Sequence, residues 1–358
     1  MSNITFFIGN GFDLNLGLKT KFSDVINEYL KIETNDTNIK KFQEEFKKDY
    51  KNWSDFEKAL GEYTERFTPD NINDLVAQIE SFRTVLINKF NEEETRIDYK
   101  NNFPKIISAV TRSLTEFDNY LLDGDKQAVS HIFFISRENN TFFYNFVSFN
   151  YTSVLDKCLS ITKPNIENND YRNKINKASQ YHVNDKIEKV IHIHGTLKNN
   201  LILGVDNVDQ IKNEVFKKDD DFLWKMIKPL TNKELKKTSV KEIENIIDAS
   251  SIICVFGMSI GVTDKTWWKC IVTWLKSDAS RHLVIFYYNE DIDETNPRTI
   301  IENRKNVENL FFSVVEIDQE QEREQLVGRI HIAYNENMFK MDILSSDDIL
   351  PNNENNGS

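Results

Sequence analysis

The sequence predicts an α/β protein with a Rossmann-like fold, in which helices cover both faces of a largely parallel sheet. Two observations support this class. Short apolar runs recur along the 358 residues and alternate with stretches of helical periodicity, and strands that alternate with helices form parallel sheets. The first run, residues 4–8, ends in the glycine turn Gly9-Asn10-Gly11, which is typical of a buried strand that leads into a helix.

Apolar runs rich in β-branched and aromatic residues are the predicted strands. They cover residues 4–8, 142–149, 190–194, 201–205, 251–256 and 282–288. A helix is predicted to begin at Phe22, with Thr20 as its N-cap and Asp24 in its first turn. Apolar residues at helical spacing predict further helices over residues 264–276 and 298–310.

The chain divides into three predicted parts. Residues 1–31 and 141–343 form the α/β domain. Residues 32–140 are charged, poor in Gly and Pro and helically periodic, which indicates a helical insertion. Residues 344–358 predict a disordered tail, and the Asn-rich residues 164–185 predict a long exposed loop.

Composition excludes several classes of protein. Hydrophobic residues make up 39% of the chain and aromatic residues 12%, which suits a packed core and not a disordered chain. The net charge of −12 disfavours nucleic acid as the main partner, because phosphate backbones bind basic faces. Three scattered cysteines form neither a CxxC pair nor a disulfide framework, which predicts a cytoplasmic location. Without a signal peptide or a membrane-length apolar run, we expect no membrane partner.

The glycine turn after the first strand is the first candidate site. Residues without a Cβ let backbone amides approach a diphosphate, and the segment continues through Phe12 and Asp13. Its spacing matches neither GxGxxG nor GxxxxGK[ST]. A simple strand-to-helix turn is therefore the alternative interpretation.

Two further strand ends carry polar side chains. Asn150 follows residues 142–149 at the edge where ligands bind in open α/β sheets, and its amide suits ribose hydroxyls or a water. Its alternative role is an N-cap or Asx turn. Strand alternation predicts His192 and His194 on one face, with His194 before Gly195 as a candidate general base. A structural role suits His192 better, and no metal site is predicted because HExxH and thiolate pairs are absent.

The fourth candidate segment follows residues 251–256. Gly257, Ser259 and Asp264 form a second loop suited to nucleotide contact, although Asp264 is alternatively the cap of the next helix. That helix carries Trp267, Ile271 and Trp274 at positions i, i+4 and i+7. This stripe predicts a core or an oligomer face.

The order of these segments resembles the AbiH family of bacterial phage abortive-infection proteins and, beyond it, the sirtuin-like NAD-binding superfamily. Residues 8–13 with Gly17-Leu18 are similar to that superfamily's opening Gly-Ala-Gly loop, and Phe149-Asn150-Tyr151 is similar to its Thr-Asn-Tyr-Asp segment. His194-Gly195 resembles its His-Gly pair, and the loop from Gly257 resembles its late Gly-x-Ser segment.

Residues 53–57 resemble a segment of AbiH-like chains, which makes Glu57 a further pocket candidate. The alternative interpretation of Glu57 is a capping box with Ser54.

The resemblance implies a sirtuin-like fold and cleavage of NAD in phage defence. The residues that it implies for nucleotide binding are Gly9, Asn10, Gly11, Phe12, Asp13, Gly257, Ser259 and Asp264. It assigns Asn150 to the ribose and the attacking water, and His194 to the base. These roles suit the chemistry, because breaking the nicotinamide–ribose bond needs fixed hydroxyls and an activated water.

Two positions depart from the superfamily pattern. Asp13 stands where Ser is usual, and Thr152 replaces the acidic residue usual after Asn-Tyr, which leaves the identity of the nucleotide open. The absence of cysteine pairs disfavours a zinc-bearing protein deacylase.

We therefore expect an NAD-hydrolysing phage-defence effector, with NAD as substrate, no metal, and either a homo-oligomer or a partner protein of the defence system. The alternatives are a hydrolase of another nucleotide and a non-catalytic nucleotide-binding sensor or oligomerisation module. In the sensor interpretation, Trp267, Trp268 and Trp274 support the oligomer.

Overall fold

The structure is a computed structural model that describes residues 2–137, 141–168, 185–235, 239–293, 295–334 and 337–345. Its centre is a sheet of six parallel strands in the order β3-β2-β1-β4-β5-β6. The strands are β1 (Ser2–Ile8), β2 (Phe142–Ser148), β3 (Lys186–His192), β4 (Ser250–Phe256), β5 (His282–Tyr287) and β6 (Ile330–Tyr334). This architecture confirms the predicted α/β Rossmann-like class.

The α-helices of the described residues fill the intervals between the strands. They are α1 (Gly11–Asn15), α2 (Phe22–Tyr29), α3 (Thr37–Lys48), α4 (Tyr50–Trp53), α5 (Phe56–Tyr63), α6 (Ile72–Thr95), α7 (Phe103–Thr115), α8 (Asp123–Arg137), α9 (Val154–Glu167), α10 (Asp220–Met226), α11 (Lys228–Glu234), α12 (Ser239–Ala249), α13 (Lys265–Ser277), α14 (Pro297–Val315) and α15 (Glu320–Val327). No helix among the described residues combines the length and apolarity needed to cross a lipid bilayer.

Strand alternation divides the core between the two faces of the sheet. Phe6 points to the face covered by α7, α8 and α9, whereas its neighbour Phe7 points to the face covered by α12 to α15. Both side chains are fully buried. Burial on both faces explains why the central strands are continuously apolar instead of alternating with polar residues.

A third hydrophobic cluster lies among the helices that follow β1. Side chains from α2, α3, α5 and α6 pack there against residues 201–227. Aromatic rings dominate its centre, with Phe56 stacked on Phe82 at 4.3 Å between ring centroids. The segment before α11 therefore joins this helical cluster and not the sheet.

The register brings the ends of three strands together. Ile8, the last residue of β1, pairs with Ser148 of β2 on one side and with Phe256 of β4 on the other. Because all strands are parallel, the segments that follow them leave at one edge. The strand order changes direction between β1 and β4, which is the place where ligands bind in open α/β sheets.

The loops after β1 and β4 touch through their backbones at this edge. The Gly9 N–H donates to the Phe256 carbonyl and the Gly11 N–H donates to the Gly257 carbonyl, both at 2.9 Å. A Cβ on Gly11 would lie 2.4 Å from the Gly257 Cα atom, closer than real Cβ atoms approach any neighbour. Gly257 itself has φ +69°, which favours glycine. Glycine is therefore required on both sides of the contact.

Several predicted elements are corrected. The helix from Phe22 is capped by Lys21 and not by Thr20, whose hydroxyl donates to Asn10 at 2.8 Å, while Asp24 occupies the first turn as predicted. The predicted strand at residues 201–205 makes only an isolated bridge between Val205 and Ile227. Those residues are apolar because they pack in the third cluster.

The sixth strand, β6, lies in a segment for which no strand was predicted. Its five residues are all buried, so the signal was a short apolar run close to the end of the chain. The prediction missed it because the run is brief and follows a strongly charged helix, α15.

Two predicted irregular segments are partly structured. Residues 164–167 form the last turn of α9, and Asp185 is buried and accepts the Phe142 N–H at 2.9 Å, while residues 169–184 of the predicted loop lie outside the described residues. In the predicted tail, the Ser345 N–H donates to the Arg96 carbonyl at 2.8 Å. Residues 346–358 lie outside the described residues.

The glycine contact predicts a selective loss of stability. We expect Gly11→Ala to lower the free energy of unfolding by about 1–3 kcal/mol, because the added methyl group must push the two backbones apart. Gly124, in the first turn of α8, has nothing within 4 Å of an added Cβ, so Gly124→Ala serves as the matched control and should not destabilise. Chemical denaturation measures both. Equal stability of the two variants would contradict the close contact.

Candidate functional site

The glycine loop uses most of its own polar groups. Besides the amides of Gly9 and Gly11, the Phe12 N–H donates to the Gly9 carbonyl at 3.0 Å. The Asn10 side chain donates to the Thr20 carbonyl and accepts from the Thr20 hydroxyl, both at 2.8 Å. The Phe12 ring is fully buried against Phe339. In the segment that follows β1, the side chain that reaches the end of a neighbouring strand, β2, is that of Asp13.

Asp13 meets two residues that follow β2. Its carboxylate accepts the Thr152 hydroxyl at 2.7 Å, and the Asn150 side chain lies close enough to act on its pKa. Asp13, Asn150 and Thr152 are each at most 4% exposed. Neither amide atom of Asn150 makes a hydrogen bond within the described part of the chain, and the same holds for Asp13 Oδ1. Buried polar atoms without partners are costly, and they mark places where a ligand or water completes the bonding.

Burial controls the ionisation of Asp13. Removal from water, with a smaller contribution from the nearby Glu94 carboxylate, raises its pKa from 3.8 to about 7 against the lowering effects of Thr152, Asn150 and His192. No cation pairs directly with Asp13 among the described residues. The carboxyl group therefore changes charge near neutral pH.

His192 and His194 do not share a strand face as predicted, because β3 ends at His192. The His192 ring lies between the Asn150 carbonyl and the Asp156 carboxylate, with each ring nitrogen 3.0 Å from an oxygen. These two contacts fit the structural role expected for His192.

His194 lies among aromatic rings at the end of β3. Its ring centroid is 5.7 Å from that of Phe149 and 6.5 Å from that of Tyr151, and the side chain is 5% exposed. Gly195, with φ +76°, turns the chain immediately afterwards. An added Cβ on Gly195 would lie 2.0 Å from the Asn200 carbonyl oxygen. This turn fixes where the His194 ring lies.

A second charged group surrounds Lys228. The Lys228 ammonium donates to both Glu57 carboxylate oxygens at 2.7 Å, and Lys228 is 1% exposed. Asp206 and Asp264 are close enough for their negative charges to stabilise the Lys228 ammonium as well. Asp206 in turn accepts the Thr266 hydroxyl at 2.7 Å. Residues from α5, from the segment before α10 and from the loop after β4 thus meet at one buried lysine.

Glu57 is therefore not part of a capping box. The N-cap of α5 is Asp55, whose carboxylate accepts the Lys58 N–H at 3.3 Å. Ser54 donates instead to the Lys51 carbonyl at 2.7 Å. Glu57 points inward instead, where both of its carboxylate oxygens accept from the Lys228 ammonium.

Burial raises the pKa values of the carboxyl groups around Lys228. The pKa of Glu57 is raised by burial against the lowering effect of Lys228. The pKa of Asp264 rises to about 7, chiefly through burial, with Lys228 opposing and Glu57 and Asp206 adding to the rise. Burial alone would lower the pKa of Lys228, but the charges of Glu57 and Asp264 raise it, so the lysine stays charged.

The last turns of α6 hold both loops in place. Glu93 accepts the Lys19 N–H at 2.9 Å, just beyond the glycine loop. Its neighbour Glu94 accepts the N–H and the hydroxyl of Ser153, and the Lys157 ammonium at 3.0 Å. These adjacent carboxylates therefore fix the chain after β1 and after β2.

The remaining predicted residues divide between core and surface. Ser259 is exposed beyond β4. Asp264 stands at the N-cap of α13, but its side chain makes no capping hydrogen bond. Trp267, Trp268 and Trp274 are at most 5% exposed inside the second-face core. This burial confirms the core interpretation of the tryptophan stripe and removes it as support for an oligomer face.

Sequence reasoning missed Lys228 and Asp206 altogether. Lys228 lies 171 residues from Glu57, in a segment without a glycine turn or strand end to attract notice. A lysine between Ile227 and Pro229 at the start of a short helix is the only local signal. Among the described residues, no group of three or more His, Cys, Asp or Glu side chains is arranged to hold a metal ion.

The Lys228–Glu57 pair predicts a large effect on stability. We expect Lys228→Met to cost about 3–5 kcal/mol, because it leaves a buried carboxylate without its cation. The double variant Glu57→Leu, Lys228→Met should cost less than Lys228→Met alone. Lys31→Ala, which removes an exposed ion pair with Glu28, is the control and should cost under about 1 kcal/mol. Additive losses in the double variant would contradict the buried pair.

Asp13 predicts a pH-dependent difference in stability. The folded carboxyl group has a pKa of about 7 against 3.8 ordinarily, so the folded state binds the proton more tightly and loses stability as pH rises between these values. Asp13→Asn removes this loss. The free energy of unfolding of Asp13→Asn, relative to that of wild type, should therefore rise between pH 5 and pH 8 by an amount on the order of 2–4 kcal/mol. Its melting temperature relative to wild type should rise over the same range. A difference in melting temperature between variant and wild type that stays constant from pH 5 to pH 8 would contradict the raised pKa.

Comparison with known proteins adds one result to this geometry. A search of curated proteins gave no match. A family model described as bacteriophage abortive infection AbiH matches residues 5–287, an interval that begins in β1 and includes the glycine loop, Asn150, His194 and the loop after β4. The chain therefore belongs to the AbiH family of bacteriophage abortive infection proteins.

Proposed function

We propose that this AbiH protein is a phage-defence effector that hydrolyses NAD to nicotinamide and ADP-ribose. Family membership supports the defence role. The observation that carries the enzymatic part is the buried group Asp13, Asn150 and Thr152, with unpartnered polar atoms on Asp13 and Asn150. The group lies beside the point where the strand order changes direction, the usual ligand position in this fold.

The reaction needs an acceptor for one proton. Water attacks C1′ of the ribose, the C1′–nitrogen bond breaks, nicotinamide leaves as a neutral molecule, and the water proton must be removed. We assign Asn150 to hold the ribose hydroxyls and the water, since its amide provides a donor and an acceptor. We assign His194 to accept the proton near neutral pH.

The two departures from the sirtuin-like pattern support the proposal when they are considered together. Asp13 stands where a hydroxyl is usual and Thr152 where a carboxylate is usual, and these two side chains are hydrogen-bonded at 2.7 Å. The two positions thus carry a carboxyl group and a hydroxyl group with their places exchanged. The raised pKa of Asp13, about 7, also reduces its repulsion of a diphosphate, because much of the group is neutral at cellular pH.

The loop after β4 is the proposed second nucleotide contact. Ser259 is exposed at the same edge, and Asp264 is half-buried beside the Lys228 group. In this proposal both residues face the part of the nucleotide that lies beyond the glycine contact. An effector of this kind must be restrained until infection, because unrestricted NAD hydrolysis would kill its own cell.

The test is NAD turnover by the purified full chain. We expect wild type to release nicotinamide and ADP-ribose, resolved by chromatography, and we expect Asn150→Ala and His194→Ala each to lower kcat by at least about 100-fold. The matched controls are Asn145→Ala, in the middle of β2 where its amide donates to the Asn3 side chain, and His282→Ala, at the first residue of β5. Both controls should keep wild-type turnover.

Three outcomes would contradict the proposal. Another nucleotide consumed while NAD stays intact would reassign the substrate. Binding of NAD without turnover, in protein from infected and uninfected cells alike, would favour a sensor. Equal activity of Asn150→Ala and Asn145→Ala would remove the site from the reaction.

A further inference from the structure

His192 has hydrogen-bond acceptors at both of its ring nitrogens. Nδ1 is 3.0 Å from the backbone carbonyl of Asn150, and Nε2 is 3.0 Å from a carboxylate oxygen of Asp156. A carbonyl oxygen only accepts, so Nδ1 carries a hydrogen. An ionised carboxylate also only accepts, so Nε2 carries one as well. The geometry therefore describes an imidazolium between two acceptors.

The electrostatic surroundings agree with this charge state. Burial alone would lower the pKa of His192, but the hydrogen bond and charge of Asp156 outweigh it, and the Asn150 carbonyl and the Asp13 carboxylate add to the rise. With both nitrogens engaged, His192 has no lone pair free to take a proton from a substrate.

The contact to Asn150 completes the support of that residue's backbone. The Asn150 N–H donates to the Ser148 hydroxyl at 3.2 Å, and the Asn150 carbonyl accepts from His192. The amide side chain of Asn150 makes no hydrogen bond within the described residues. Asp13 is near enough to this amide for the amide to lower its pKa, but no hydrogen bond of normal geometry holds the amide, so its direction depends mainly on the backbone.

We propose that His192 and Asp156 are positioning residues for Asn150, holding its carbonyl so that the free amide points at the nucleotide. The inference rests on the proposed function for the identity of the substrate. Asp156 belongs to α9 and is partly exposed, with 39% of its side chain accessible. It anchors the imidazolium from the helix that follows the Asn150 loop.

Two substitutions at one position separate the two contacts. The amide nitrogen of asparagine is the same number of bonds from Cα as Nδ1 of histidine, and that of glutamine approaches the place of Nε2. His192→Asn therefore keeps a donor toward the Asn150 carbonyl, whereas His192→Gln keeps only the contact to Asp156. We expect His192→Asn to stay within about 3-fold of the wild-type kcat, and His192→Gln to lose about 100-fold with little change in KM, since misplacing a reacting group acts on the chemical step.

A second measurement makes the test independent of turnover. The side-chain amide signal of Asn150 in a ¹⁵N–¹H spectrum should move in His192→Gln and stay near its wild-type position in His192→Asn. Nitrogen spectra of the imidazole should show both His192 nitrogens protonated at pH 7 in wild type, and one protonated in Asp156→Asn.

The outcomes separate the two proposals. If wild type does not hydrolyse NAD but the Asn150 signal responds as described, the proposed function fails and the positioning role stands. If His192→Gln leaves kcat and the Asn150 signal unchanged, or if both variants lose activity and stability equally, the positioning role is overturned. A singly protonated His192 in wild type at pH 7 would also overturn it.

Discussion

The contact between the loops after β1 and β4 is the constraint on which the rest of the site depends. Gly11 and Gly257 approach so closely that no side chain fits between them. Two backbone hydrogen bonds of 2.9 Å, from Gly9 and Gly11, join the loops there. Because β1 and β4 flank the point where the strand order changes direction, this contact fixes the start of α1 relative to the loop that carries Asp264. Asp13 turns toward Asn150 and Thr152 as a result.

The carboxyl groups of Asp13, Glu57 and Asp264 differ in what balances their charge. Asp13 is surrounded by a hydroxyl and an amide, so burial dominates and its pKa reaches about 7. Glu57 faces a fully buried ammonium, which opposes the effect of burial. Asp264 is intermediate, because Lys228 lowers its pKa while burial and three other carboxylates raise it. The first arrangement leaves a group that exchanges protons near neutral pH, and the second fixes helix α5 against the first residue of α11.

The sheet was more predictable from the sequence than the site. Residues 4–8, 142–149, 251–256 and 282–288 were recognised as strands because burial on both faces leaves an apolar run between turn residues. The run at 201–205 has the same composition but packs against helices. Local pattern cannot distinguish those two environments, since both select apolar side chains.

Positions at strand ends were also accessible to sequence reasoning, since Asn150 and His194 follow directly from the turns. The contacts between side chains distant in sequence were not accessible in this way. The Thr152 hydroxyl bonds to a residue 139 positions away, and Lys228 pairs with Glu57 across 171 positions. Such contacts depend on how the helices after β1 fold back over the sheet edge, which periodicity does not encode. His192 illustrates the same limit, because its place beside Asp156 depends on β3 ending two residues earlier than predicted.

Helix α6 carries a mechanical consequence. It has 24 residues, and its last turn holds the chain after β1 through Glu93 and the chain after β2 through Glu94. Because an α-helix is stiff along its axis, a displacement at its far end, near Ile72, would move both loops together. Withdrawal of Glu94 would also remove a negative charge that acts on Asp13. Both the geometry of the sheet edge and the proton affinity of Asp13 therefore depend on the position of this single helix.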